Sequence, residues 1–343
     1  MDREATWRRR AEKVVNQVNA AFPDPKKFEN WGLCEELLFC ATAVCKQISN
    51  YEIETETAAL LLNETAYFLN EKGKYDEPQP LYRRSLTIRK KILGRSHPAI
   101  AVSLNNIGAM YYERGKYELA RRFYKKSLEI REKELGENHP DVAESLNNLA
   151  SAYCHGKVDL YQAEHLYLKS LTIREKELGE NHPDVAESLN NLAIFYMVFR
   201  TDYDQATALC ERSLYIRDNI LSKDHPHLAE SLITLARIYS EQEKYEQAEC
   251  LYLRGLEIRG KALGKDHPNI AFDLNYLAAL YIEQRKYDQA QSLLEISLSI
   301  IDKTLGQEHP NIKDILINYD AVLYFKKLKQ ENFENNCVKE VDR

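Results

Sequence analysis

The sequence predicts an all-α protein, a row of helix pairs stacked along one axis. Three observations carry that prediction. The dipeptide His-Pro recurs at residues 97, 139, 182, 225, 267 and 309, always 42 or 43 residues apart, and a fixed period of that length marks a repeat architecture. Ser127–Ala150 reads SLEIREKELGENHPDVAESLNNLA, and Ser170–Ala193 differs from it only in having Thr172 where Glu129 stands. The 343 residues include only 12 Gly and 10 Pro, while 29% are charged and 44% hydrophobic. That balance suits long helices with one wet face, not a disordered chain.

The elements follow in order. Residues 1–51 read as a degenerate helix pair. Trp7, Ala11, Val14, Val15 and Val18 form one apolar stripe, Pro23 and Pro25 break it, and Trp31, Cys34, Leu37, Leu38, Ala41 and Cys45 form a second. Six repeats then span 52–96, 97–138, 139–181, 182–224, 225–266 and 267–308. In the third, Leu146, Leu149, Ala150 and Tyr153 fall on one helical face. A polar break at His155-Gly156-Lys157 follows, then a second helix through Ala163, Tyr167, Leu171 and Leu178 that stops at Gly179. Other repeats break at Gly115-Lys116, Glu243-Lys244 and Arg285-Lys286. The two 43-residue intervals are expected to place their extra residue in this turn, where insertion is tolerated. His-Pro marks each repeat start, because Pro is preferred at the first helical position and keeps the residue before it out of the helix. Asp141 and Asp184 then suit a helix N-terminus. A capping helix over 309–329 is expected to turn Ile315, Leu316, Tyr319 and Leu323 inward, with a polar end at Lys326, Lys327 and Lys329 and a polar tail over 330–343.

Within each period the chain reads Leu104-Asn105-Asn106-Ile107-Gly108 with Tyr111, then Tyr117, Ala120 and Tyr124; Leu146-Asn147-Asn148-Leu149-Ala150 and Leu189-Asn190-Asn191-Leu192-Ala193 repeat the start. This resembles the tetratricopeptide-repeat (TPR) signature. The 42-residue form with S-L-N-N-L-A, I-R-E and H-P-D-V is similar to the kinesin light chain group over about residues 52–325. The resemblance implies a right-handed α-solenoid, a superhelix of antiparallel helix pairs whose first helices line a concave face. Phe22 to Leu38 resembles the segment preceding such repeats in bacterial and fungal NTPase-linked TPR proteins.

Several function classes are disfavoured. A net charge of −6 fits nucleic acid poorly. The longest apolar stretch, Leu192 to Phe199, is too short to span a bilayer. Seven cysteines without framework spacing and a charged N-terminus without an apolar core point to a reduced, cytoplasmic setting. There is no phosphate loop, H-E-x-x-H or G-x-S-x-G. Neither cofactor nor metal is expected, and near-identical repeats leave little room for one catalytic constellation.

The informative positions are those that recur. Asn63, Asn105, Asn147, Asn190 and Asn275 share one place in the first helices, and the resemblance implies that this amide bonds a peptide backbone. The alternative is that asparagines brace neighbouring helices, which Asn106, Asn148 and Asn191 do more plausibly. Arg89, Arg131, Arg174, Arg217 and Arg259 recur in the second helices. They either hold an acidic ligand, as the resemblance implies, or pair with Glu or Asp on their own helix. Departures occur at Ile233, Ile301 and Ile317, and Ile194, Met197 and Val198 make the fourth repeat apolar. The expected function is a non-catalytic scaffold or adaptor binding an extended protein or peptide segment, acidic with a bulky apolar anchor. The alternative is a sensor or assembly module partnering an NTPase switch protein.

Overall fold

The computed structural model describes residues 3–305 and 309–341. The described residues form fifteen α-helices and no strand. Helices α1 (Arg3–Ala21) and α2 (Trp31–Asn50) come first. Two helices per repeat follow: α3 (Glu56–Glu71) and α4 (Pro78–Leu93), α5 (Pro98–Glu113) and α6 (Tyr117–Leu135), α7 (Pro140–His155) and α8 (Leu160–Leu178), α9 (Pro183–Phe195) and α10 (Tyr203–Ile220), α11 (Pro226–Glu241) and α12 (Tyr245–Leu263), and α13 (Pro268–Glu283) and α14 (Tyr287–Thr304). Helix α15 (Ile312–Val341) closes the series. The chain divides into two compact bodies, Met1–Asn191 and Leu192–Arg343.

The His-Pro signal has a second half that the sequence reading missed. His97, His139, His225 and His267 are themselves the N-caps, and His182 and His309 make the same local bond. The capping backbone is extended, as at His97 (ψ 139°) and His139 (ψ 141°). The histidine Nδ1 accepts the N–H two residues on, at 3.2 Å from Ala99, 3.1 Å from Asp141, Asp184, His227 and Asn269, and 3.3 Å from Asn311. One otherwise orphaned donor at each helix start is thereby satisfied. At the other end, Gly136 and Gly179 stop the second helices at φ 85° and 87°, a region that side chains avoid.

The extra residue of the third repeat lies in the inter-helix turn, where Lys157 takes φ 50°. That of the fourth does not. It is absorbed into a π-helical turn, Tyr196–Arg200, that continues α9 and ends at Thr201 with φ 52°.

Within a pair the helices are drawn together by serines of the second helix. Ser85, Ser127 and Ser170 donate to the carbonyls of Ala59, Ala101 and Ala143 at 2.6, 2.8 and 2.7 Å, and Ser297 to Ala271 at 2.8 Å. The fifth repeat has Gly255 at this serine position and Ile233 at the asparagine position. A Cβ on Gly255 would sit 2.7 Å from Ile233 Cδ1. The two departures are therefore one exchange, in which a larger side chain on α11 fills the space vacated on α12.

Both ends pack on the array. Trp31 meets Phe68 edge-on at 5.9 Å and its Nε1–H donates to the carbonyl of Pro25 at 2.8 Å. Trp7 and Val14 of the predicted first stripe are exposed, while Val15 is buried. On α15, Ile312, Ile315 and Val322 face the core, but Leu316 and Leu323, expected inward, are exposed.

Candidate functional site

The five recurrent arginines lie beneath the first-helix surface, not on it. Arg89, Arg131, Arg174, Arg217 and Arg259 are all buried. Each Nη1 reaches across to the first helix of the next repeat. Arg131 donates to the carbonyl of Asp141 at 2.7 Å and to Ser145 Oγ at 2.8 Å. Arg174 repeats this with Asp184 and Ser188, both at 2.8 Å, and Arg217 with His227 at 2.8 Å and Ser231 at 2.9 Å. Arg89 does so with Ala99 at 3.0 Å and Ser103 at 2.8 Å. Arg259 meets Asp273 instead of serine, at 2.5 and 2.6 Å. A glutamate one residue earlier completes three of these sites: Glu144, Glu187 and Glu230 lie 3.0, 3.2 and 3.1 Å from Arg131, Arg174 and Arg217. Burial would raise the Glu144 carboxyl, but Arg131 beside it holds it below the ordinary carboxylate value. The arginine pairs are neither ligand forks nor contacts along one helix. They are clamps between successive repeats.

The asparagines form a second ladder. Asn106 donates to Asn63 Oδ1 at 3.4 Å, Asn148 to Asn105 at 3.3 Å, Asn191 to Asn147 at 3.3 Å and Asn318 to Asn275 at 2.9 Å. Asn105 and Asn147 in turn donate to Glu144 and Glu187, at 2.8 and 3.2 Å. Within the N-terminal body, Arg131, Glu144, Asn105 and Asn148 are thus one connected network. Asn63, Asn105, Asn147, Asn190 and Asn275 are all buried, whereas Asn148 and Asn191 are half-buried. Hydrogen bonds to the next repeat are thus made by Asn63, Asn105, Asn147 and Asn275 as well as by their donors Asn106, Asn148, Asn191 and Asn318. Glu144 and Glu187 were missed as partners, although the separation of 14 from arginine to serine recurs from Arg89 to Arg217 and makes the contact legible in the sequence.

What the first helices of the N-terminal body present is a different set. Tyr67, Ala109 and Ser151 share one register position, and Glu71, Glu113 and His155 share the next turn. All are half-buried except His155, which is exposed. Tyr112 and His155 Nδ1 are 2.9 Å apart, and Ser151 lies 2.8 Å from the Tyr167 hydroxyl. Burial, with Glu113 and Glu71 nearby, raises the Tyr75 phenol well above its ordinary value. Burial, with Glu113 nearby, pushes the Glu71 carboxyl up to about 7. Burial likewise raises the Tyr112 and Tyr124 phenols well above their ordinary value. The strip is recessed, aromatic and acidic. In the C-terminal body, Ile194 is half-buried, Met197 buried and Val198 exposed.

Among the described residues, no cluster of three or more His, Cys, Asp or Glu side chains is placed to hold a metal ion. No helix there is long and apolar enough to cross a membrane.

Comparison with known proteins places these features. No significant match was found among curated proteins. Among solved structures, a kinesin light chain-like protein of Podosopora anserina with nearly identical TPR-like repeats shares 28% identity, covering 61% of this chain and 97% of that one, with a TM-score of 0.46. NprR in complex with its cognate peptide NprX shares 16% identity over 96% of this chain and 89% of that one, with a TM-score of 0.57. The apo form of the quorum sensor NprR from B. thuringiensis gives 16%, 90%, 79% and 0.52 in the same order. The two NprR likenesses concern the fold alone. Models of the tetratricopeptide repeat match residues 56–133, 100–158, 141–197, 189–261 and 274–311. With its helix pairs, small-residue contacts and repeat period all in register, the chain belongs to the tetratricopeptide-repeat family.

Proposed function

We propose that the chain is a protein-interaction scaffold or sensor, without chemistry of its own, whose N-terminal body holds an extended peptide segment along the first helices α3, α5 and α7. One observation carries this reading. Most of the recurrent asparagines and arginines hold hydrogen bonds between repeats, while Tyr67 and Ser151 at one register position and Glu71, Glu113 and His155 at the next, with Tyr112 beside them, keep part of their surface in water. Hydrogen-bonding groups repeated at the spacing of the helices suit an extended chain.

The charge of the ligand is the point at which this proposal departs from the sequence-based expectation. An acidic segment was expected because of the arginines, and these are buried and engaged. The strip itself offers carboxylates beside tyrosine rings, a setting that favours a lysine or arginine side chain. The ligand proposed is therefore an extended segment carrying a cation.

Selection of a random-sequence peptide display library on the full chain tests this. Enrichment of Lys and Arg is expected, and it should vanish on the Glu71→Gln/Glu113→Gln variant. Because Glu71 sits at about 7, selected peptides should bind more tightly as pH rises through neutrality and its carboxylate forms. Enrichment of Asp and Glu, or indifference to the variant, would overturn the proposal.

A further inference from the structure

Helix α15 occupies the place of a seventh first helix. Its Asn318 joins the asparagine ladder through Asn275 at 2.9 Å, and His309 Nδ1 accepts the N–H of Asn311 in the turn just before its start. Its Ile315 stands 14 residues after Ile301, where other repeats have serine and arginine, and both isoleucines are fully buried. In the C-terminal body, first helices α11 and α13 each have a second helix, α12 and α14, laid against them. Helix α15 has none among the described residues, since it runs unbroken to Val341.

The face left bare is specific. Leu316, Ile317, Leu323, Tyr324 and Leu328 are exposed there, Ile317 at 64% and Tyr324 at 60%. At helical spacing they form the two edges of one stripe, and Asp320 and Lys327 run down its middle, two turns apart. Asp320 stands at the position of Ala278, which is wholly buried in the sixth repeat. A carboxylate at that small-residue position excludes the close apolar approach that a second helix normally makes. It calls for an occupant that brings an apolar helix and a cation in register.

A second copy of this chain meets that requirement. We propose that two copies pair antiparallel through α15, about a two-fold axis passing between Leu323 and Tyr324. In that arrangement each Asp320 faces the partner's Lys327, while Leu323 and Tyr324 close the centre and Leu316, Ile317 and Leu328 the flanks. A parallel pairing would set Asp320 against Asp320 and Lys327 against Lys327, so the charges select the antiparallel one.

Sedimentation velocity on the full chain over about 1–100 micromolar tests this, with circular dichroism to verify that each variant folds. A concentration-dependent dimer is expected. Asp320→Lys should weaken it about tenfold or more, Tyr324→Glu should abolish it, and Asp320→Lys/Lys327→Asp should restore it. A chain that stays monomeric throughout, a dimer indifferent to the folded variants, or a charge-swapped double variant that fails to recover would overturn the proposal. The first of those results would leave α15 to a partner of another kind.

Discussion

At the scale of single residues, the arginine is the most consequential side chain in the repeat. In four repeats the buried guanidinium is held by a carbonyl and a hydroxyl, joined in three of them by a carboxylate, and in the fifth repeat Arg259 is held by the carboxylate of Asp273, so removing it leaves several buried groups without their bond. Arg174→Ile should therefore cost about 3–5 kcal/mol in a denaturant titration. The protein already contains the compensated form, because Ile301 with Ile315 replaces Arg with Ser at the same separation of 14. Adding Ser188→Ile to Arg174→Ile should recover at least about 1 kcal/mol, although Glu187 still lacks its partner. Two equal losses would mean that the two positions do not interact. The sequence showed that these arginines recur, and it displayed the serine spacing too. It did not reveal that they face inward, because Arg on a mostly polar helix reads as solvated until the neighbouring repeat is in place.

At the scale of elements, nearly every boundary was legible: the His-Pro starts, the glycine stops and the turn positions all mark helix ends. Two features were not. A π-helical turn hides inside an apolar run, since Tyr196–Arg200 offers no breaker to reveal where the extra residue goes. The histidine caps were read as mere neighbours of proline, because His is not among the common capping residues. Their chemistry has a pH consequence. Nδ1 can accept only while unprotonated, and burial, with His227 and Arg217 nearby, lowers His225 to about 4. The unfolded chain binds that proton near 6.5, so the stability due to neutral His225 is complete above that pH and is lost as pH falls toward 4. Chemical denaturation at steps across this window should show the decline. His225→Asn, which keeps a capping acceptor but cannot titrate, should flatten part of it; an unchanged slope would remove His225 from the account. The exposed Leu316 and Leu323 of α15 are the other misreading at this scale, since an apolar residue in the register of a first helix packs only if a second helix exists to meet it.

At the scale of the whole molecule, repetition explains both what was easy and what was hard to read. Each repeat buries its apolar face on its neighbours, so one period fixes the architecture many times over. The same repetition explains why the recurrent polar positions make contacts between repeats, and why Ile233 and Ile301 fill that space where the polar residue is absent. The candidate ligand surface must then be sought where repeats differ from one another: Glu71 and Glu113 against His155, Tyr67 against Ala109 and Ser151. The proposed ligand surface is thus the recessed strip of α3, α5 and α7. Photo-cross-linking tests it most directly. A peptide taken from the display selection, with a photoreactive lysine analogue at its cationic position, is bound to the full chain, irradiated and mapped by mass spectrometry. The account predicts adducts on α3, α5 and α7, concentrated at Glu71, Tyr112, Glu113 and His155, and their loss when unlabelled peptide competes. Competable adducts confined to the second helices α4, α6 and α8 would contradict it.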